Sequence, residues 1–127
     1  ADKNMVTAAT TNKFVIAADD DAFCQQILKT LLTALKAEHV IVGDGEAAVS
    51  EYKKRNGEVG LVLLDIHMPK KDGYQAAQEI SQLGTTRIVG LSADNDATTQ
   101  SNAKKAGMES LVTKPIKKAE LAKLLVQ

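Results

Sequence analysis

Short unbroken apolar runs alternate along this chain with longer stretches in which apolar residues recur every three or four positions. Segments built on such runs fall at 13–18, 39–42, 61–64, 87–91 and 110–113. Runs of that length, bounded by turn residues, predict strands buried on both faces, as in a parallel sheet. Between the first two, Phe23, Ile27, Leu28, Leu31, Leu32 and Leu35 mark one amphipathic helix of about four turns. Ala48, Val49 and Tyr52 mark a shorter one, ended by Asn56-Gly57. Tyr74, Ala77, Ile80 and Leu83 predict the inner face of a third, closed by Gly84. The fourth, over 96–106, has an inner face made mostly of alanine, so it is expected to bury little and hold loosely until Gly107 stops it. Ile116, Leu121, Leu124 and Leu125 mark a closing helix, with Pro115 just before or within its first turn.

Five alternations of strand and helix predict an α/β fold with helices on both faces of a parallel sheet. Right-handed crossovers leave few arrangements, and the commonest for five units is the flavodoxin-like, doubly wound (βα)5 order 2-1-3-4-5. The length of 127 residues fits one domain, read as 13–127 behind a polar, Thr-rich leader or linker at 1–12. That leader, and a helical pattern running to the last residues, read as a piece of a longer protein. Sixteen basic residues balance sixteen acidic ones, which gives no electrostatic footprint for nucleic acid or an anionic membrane. A single cysteine, Cys24, excludes an internal disulfide and a cysteine-based zinc site and suits a reducing, cytoplasmic setting. No apolar run approaches a membrane span, and the start lacks the order of a signal peptide.

The candidate chemistry lies at strand ends. Leu61-Val62-Leu63-Leu64 stops at Asp65, and Ile66-His67-Met68-Pro69-Lys70-Lys71-Asp72-Gly73 makes the turn beyond. Parallel strands share a C-terminal rim, where such sheets place their ligands. Strand one brings Asp19, Asp20 and Asp21 to that rim, strand three Asp65, strand four Ser92 and strand five Lys114. Clustered carboxylates repel one another unless a cation joins them, and hard oxygen donors suit Mg²⁺. A carboxylate nucleophile beside that ion can take a phosphoryl group, with a lysine and a hydroxyl meeting its oxygens. Each residue has a plainer role: Asp21 as a helix N-cap, Lys114 as a solvated lysine, Ser92 as a loop hydroxyl, Cys24 as packing. The imidazole of His67 is a poor match for a site of hard oxygens, and His39 simply begins a strand. An aspartate-nucleophile phosphatase would need a second aspartate where His67 stands. A flavodoxin-like cofactor site would want N–H-rich Ser, Thr and Gly where the acidic triplet stands.

The motifs Ala18-Asp19-Asp20-Asp21, Leu64-Asp65-Ile66-His67-Met68-Pro69 with Asp72-Gly73, Leu91-Ser92-Ala93 and Lys114-Pro115 together resemble those of the receiver domain of two-component signalling. The resemblance runs from about Lys13 to Val126 and implies that Asp65 is the phosphoacceptor. It further implies Asp20 as the main Mg²⁺ ligand, joined by Asp65 and the backbone carbonyl of His67, with Asp19 assisting through water. Ser92 becomes the switch hydroxyl and Lys114 the partner of a phosphoryl oxygen. Where receivers often carry an aromatic residue three positions before the lysine, this chain has Leu111. The run Ala106-Gly107-Met108, with Leu111 to Ile116, is most like receivers attached to hybrid histidine kinases. The implied partner is a histidine kinase or histidine phosphotransfer protein, with no direct contact to nucleic acid or membrane; any membrane anchor belongs to the parent chain. A domain of this kind is an acceptor that promotes only its own phosphoryl transfer and hydrolysis, not an enzyme.

Overall fold

The computed structural model describes residues 14–55 and 58–126. The expected leader, Lys13 and the Asn56-Gly57 helix stop lie outside them. Five strands, β1 (Val15–Ala18), β2 (His39–Val42), β3 (Leu61–Asp65), β4 (Arg87–Ser92) and β5 (Ser110–Thr113), form one parallel sheet in the order β2-β1-β3-β4-β5. Helices α1 (Ala22–Ala34), α2 (Gly45–Lys54), α3 (Gly73–Leu83), α4 (Ala97–Lys105) and α5 (Lys118–Val126) follow the strands in turn. This is the flavodoxin-like arrangement that the alternation predicts.

Successive strand residues point to opposite faces, and that parity divides the core in two. Val15, Ala17, Leu61, Leu63, Val89 and Leu91 pack beneath α1 and α5, where Leu28, Leu32, Leu121 and Leu125 meet them. Ile16, Ala18, Val62, Leu64 and Ile88 pack beneath the other three helices. The central strand β3 is buried along its whole length.

Two helices turn the expected stripe inward but leave one end of it uncovered. Phe23 is 72% exposed, and α1 buries only Leu28 and Leu32 fully. Leu83 is 50% exposed, and α3 buries Gly73, Ala76, Ala77 and Ile80. Small alanines let α3 approach the sheet closely, while Leu83 falls in the last turn and projects past the covered core. The closing helix also starts later than expected. Pro115 follows a cis peptide bond in the turn after β5, and the helix begins at Lys118, with Ile116 buried ahead of it.

Candidate metal centre and phosphoryl-acceptor rim

Register builds the rim. Ala18 pairs with Leu64, so one step further along two parallel strands come Asp19 and Asp65, both with the parity of the α1 and α5 face. Asp19 is fully buried and Asp65 is 4% exposed, whereas Asp20 is exposed. One carboxylate oxygen from each of the three lies within 4.8 Å of the others, a spacing that could hold a metal ion among the described residues.

Backbone and side-chain donors fix these carboxylates. The Asp21 N–H donates to Asp19 Oδ1 at 2.9 Å, and Gln25 Nε2 donates to the Asp19 carbonyl at 2.6 Å. Asp21 caps α1 by accepting from the Cys24 N–H, and the Cys24 thiol, together with that N–H, holds its carboxyl below the usual range. The His67 N–H donates to Asp65 Oδ1 at 3.2 Å. Lys114 Nζ donates to Asp65 Oδ2 at 3.2 Å and lies 3.2 Å from Asp19 Oδ2. That last contact is an ion pair without hydrogen-bond alignment, so the buried Oδ2 of Asp19 has no hydrogen-bond partner. Burial raises the pKa of Asp65, the charge of Asp19 raises it further, and Lys114 opposes both. Burial works against the charge of Lys114, but the Asp19 and Asp65 carboxylates outweigh it and hold the ammonium above its ordinary pKa.

Ser92 ends β4, buried, and its Oγ accepts from the Asp94 N–H at 3.0 Å. Its carbonyl accepts from the Lys114 N–H at 2.8 Å, which ties the strand-four and strand-five ends together. All the strand-end residues singled out in the sequence therefore share one rim. His67 contributes its backbone there, and the residue itself is exposed. Cys24 lines a narrow pocket with Asp19, Lys114 and Ile116. Burial, with help from the Asp21 hydrogen bond, pushes its thiol up to about 11, so it stays protonated and inert at neutral pH.

Three contacts escape sequence reasoning. Gln25 steadies Asp19 from the first turn of α1, and the Asp94 N–H engages the Ser92 hydroxyl. Gly73 permits the third: a Cβ there would lie 2.4 Å from the Asp65 carbonyl oxygen, so α3 can start against the strand end only without a side chain. The Asp-Gly pair in the sequence signals a turn but not this close approach.

The arrangement suits a divalent cation. Its donors are hard oxygens, three carboxylates converge, and one buried carboxylate oxygen lacks a hydrogen bond. A model of the response regulator receiver domain matches residues 15–126. The probable transcriptional regulator ycf27 of Guillardia theta is 34% identical over 87% of this chain, which spans 43% of that relative. The sensor protein GacS of Pseudomonas syringae pv. syringae is 33% identical over 89% of this chain and 13% of its own. The chain thus spans less than half the length of these curated relatives. The receiver domain of sensor histidine kinase PA1611 from Pseudomonas aeruginosa PAO1, solved with a magnesium ion in its active-site cleft, superposes with a TM-score of 0.81. It is 27% identical, with 90% of this chain and 94% of that one covered. On the match across residues 15–126, this chain belongs to the response regulator receiver domain family of two-component signalling.

Proposed function

We propose that the domain accepts a phosphoryl group from a phosphohistidine onto Asp65, with Mg²⁺ at the rim, and signals through the resulting change in shape. The observation that carries this reading is the pairing of Asp65 and Asp19 around Lys114, with Asp19 Oδ2 left without a hydrogen bond. Asp20, Asp65 and the His67 carbonyl would hold the ion, with Asp19 assisting through water. Bound there, Mg²⁺ supplies positive charge against the carboxylates and the equatorial phosphoryl oxygens.

Asp65 Oδ2 is the nucleophile in this reading. Its lone pair forms an O–P bond in line with the P–N bond to the donor imidazole, and that bond's electron pair leaves on the imidazole nitrogen. Lys114, already against Oδ2, offers its ammonium to a phosphoryl oxygen, and the Ser92 hydroxyl, which accepts from the Asp94 N–H, donates to another. Attack by water on phosphorus returns the carboxylate and releases inorganic phosphate. The donor is a histidine kinase or histidine phosphotransfer protein, and the parent chain is of the hybrid sensor kinase type that the likeness to GacS supports. The chain promotes only its own transfer and hydrolysis.

Intact mass after incubation with acetyl phosphate and Mg²⁺ tests this. The expected result is a gain of one phosphoryl group that needs Mg²⁺ and is absent in Asp65→Asn. An unmodified chain that gains no mass and does not bind beryllofluoride would overturn it.

A further inference from the structure

The loop from Ile66 to Asp72 carries the backbone groups of His67 and is held at its base and on its far arm. At its base, the Gly73 N–H donates to the Ile66 carbonyl at 2.9 Å. On its far arm, the hold comes from a different part of the chain. The Gly45 N–H, in the first turn of α2, donates to the Lys71 carbonyl at 3.0 Å. A Cβ at Gly45 would lie 2.0 Å from that oxygen and 2.8 Å from its carbon. Both atoms are backbone, so relief would require the loop to move. Gly45 does not have the positive φ that favours glycine, so proximity rather than conformation excludes a side chain here. Asp44, which caps α2 through the Ala47 N–H at 2.7 Å, also faces Lys70 Nζ at 3.8 Å. Lys70 itself stands at φ 65 in this arm. Lys71 makes a side-chain ion pair with Glu79 on α3.

We infer that Gly45 is a positioning residue for the metal site: the start of α2 clamps the far arm of the Ile66 to Asp72 loop and so sets the His67 peptide unit relative to Asp65. The metal arm of this inference rests on the Mg²⁺ reading above; the loop arm does not. Through the loop backbone this hold bears on where the His67 N–H meets Asp65 Oδ1 and on the His67 carbonyl one peptide unit further along. A displacement of the loop by less than an ångström matters because Mg²⁺ tolerates little departure from octahedral geometry.

The test compares Gly45→Ala with Gly84→Ala. A Cβ at Gly84 would lie 2.3 Å from the Tyr52 hydroxyl, a close contact with a side-chain atom rather than backbone, at the far end of α3 and away from the rim. Hydrogen exchange of the Gly73 and His67 amides is read first, in chelator, and Mg²⁺ affinity by calorimetry second. Gly45→Ala is expected to speed both amides at least tenfold more than Gly84→Ala does, and to weaken Mg²⁺ at least tenfold where the control stays within twofold. Equal effects of the two variants, or native-like exchange in Gly45→Ala, would overturn the inference. An unmodified protein that binds no Mg²⁺ would sink the metal reading alone, because the exchange comparison still decides the clamp. Should Gly45→Ala not fold, Asp44→Ala, which uncaps α2, is set against Asp96→Ala, which uncaps α4. Only the former is expected to speed the Gly73 and His67 amides, about threefold, and equal exchange in the two would overturn the clamp.

Discussion

At Asp65, burial and the neighbouring Asp19 oppose ionisation, and Lys114 recovers part of the loss. Because the pKa is raised on folding, the native chain binds more protons than the unfolded one between the ordinary value of 3.8 and the raised one. Stability therefore falls as pH climbs through that window, and at neutral pH the charged residue destabilises the metal-free fold. Asp65→Asn is expected to raise the unfolding free energy in chelator at pH 7, with the gain shrinking toward the acid end of the window. Urea melts at several pH values check this, and a variant no more stable than the parent would contradict it. Glu109 gives the opposite sign. The hydrogen bonds from Arg87 hold its pKa below 4.5, so they contribute stability above that value that is lost as pH falls through the depressed one. Half-exposed, the pair is worth no more than about 1 kcal/mol. Glu109→Gln should cost that much at pH 7 and nothing in strong acid, again by urea melts.

Among the helices, α4 is held by the least. It buries Ala103 alone, against Leu28 and Leu32 in α1 or Ala48, Val49 and Tyr52 in α2. Alanine removes little apolar area from water, so the amides of α4 are expected to exchange with deuterium faster than those of any other helix. Exchange mapped by NMR would show this directly, and protection of α4 equal to that of α1 would contradict it. The alanine pattern made this weakness legible in the sequence. The faces of α1 and α3 were less so, because spacing defines a stripe without saying which end of it the sheet covers. Phe23 and Leu83 stand at helix ends, where the core runs out. The rim was legible because Asp19, Asp65, Ser92 and Lys114 each follow an apolar run that fixes a strand end. The hold of Gly45 on Lys71 was not, since a helix start and a loop distant in sequence meet there and neither residue bears a mark of it.

For the whole molecule, β3 is the common wall of both core halves, its odd residues facing α1 and α5 and its even ones the other helices. Truncating it weakens packing that everything else rests on. Leu63→Ala, at a position with no exposure, is expected to cost about 3 kcal/mol in urea unfolding, with one cooperative transition retained. A loss under about 1 kcal/mol would mean that the two halves close over the gap. No helix among the described residues is long and apolar enough to cross a membrane.

The ammonium of Lys114, set 3.2 Å from both Asp19 and Asp65, gives the rim a definite electrical arithmetic. Three carboxylates against one ammonium leave two negative charges, the amount that a single divalent ion cancels. Potassium or sodium would leave the rim anionic, and a trivalent lanthanide would overshoot to a cation. On this count a divalent ion at the rim would be matched in charge, with a lysine already counted into the balance.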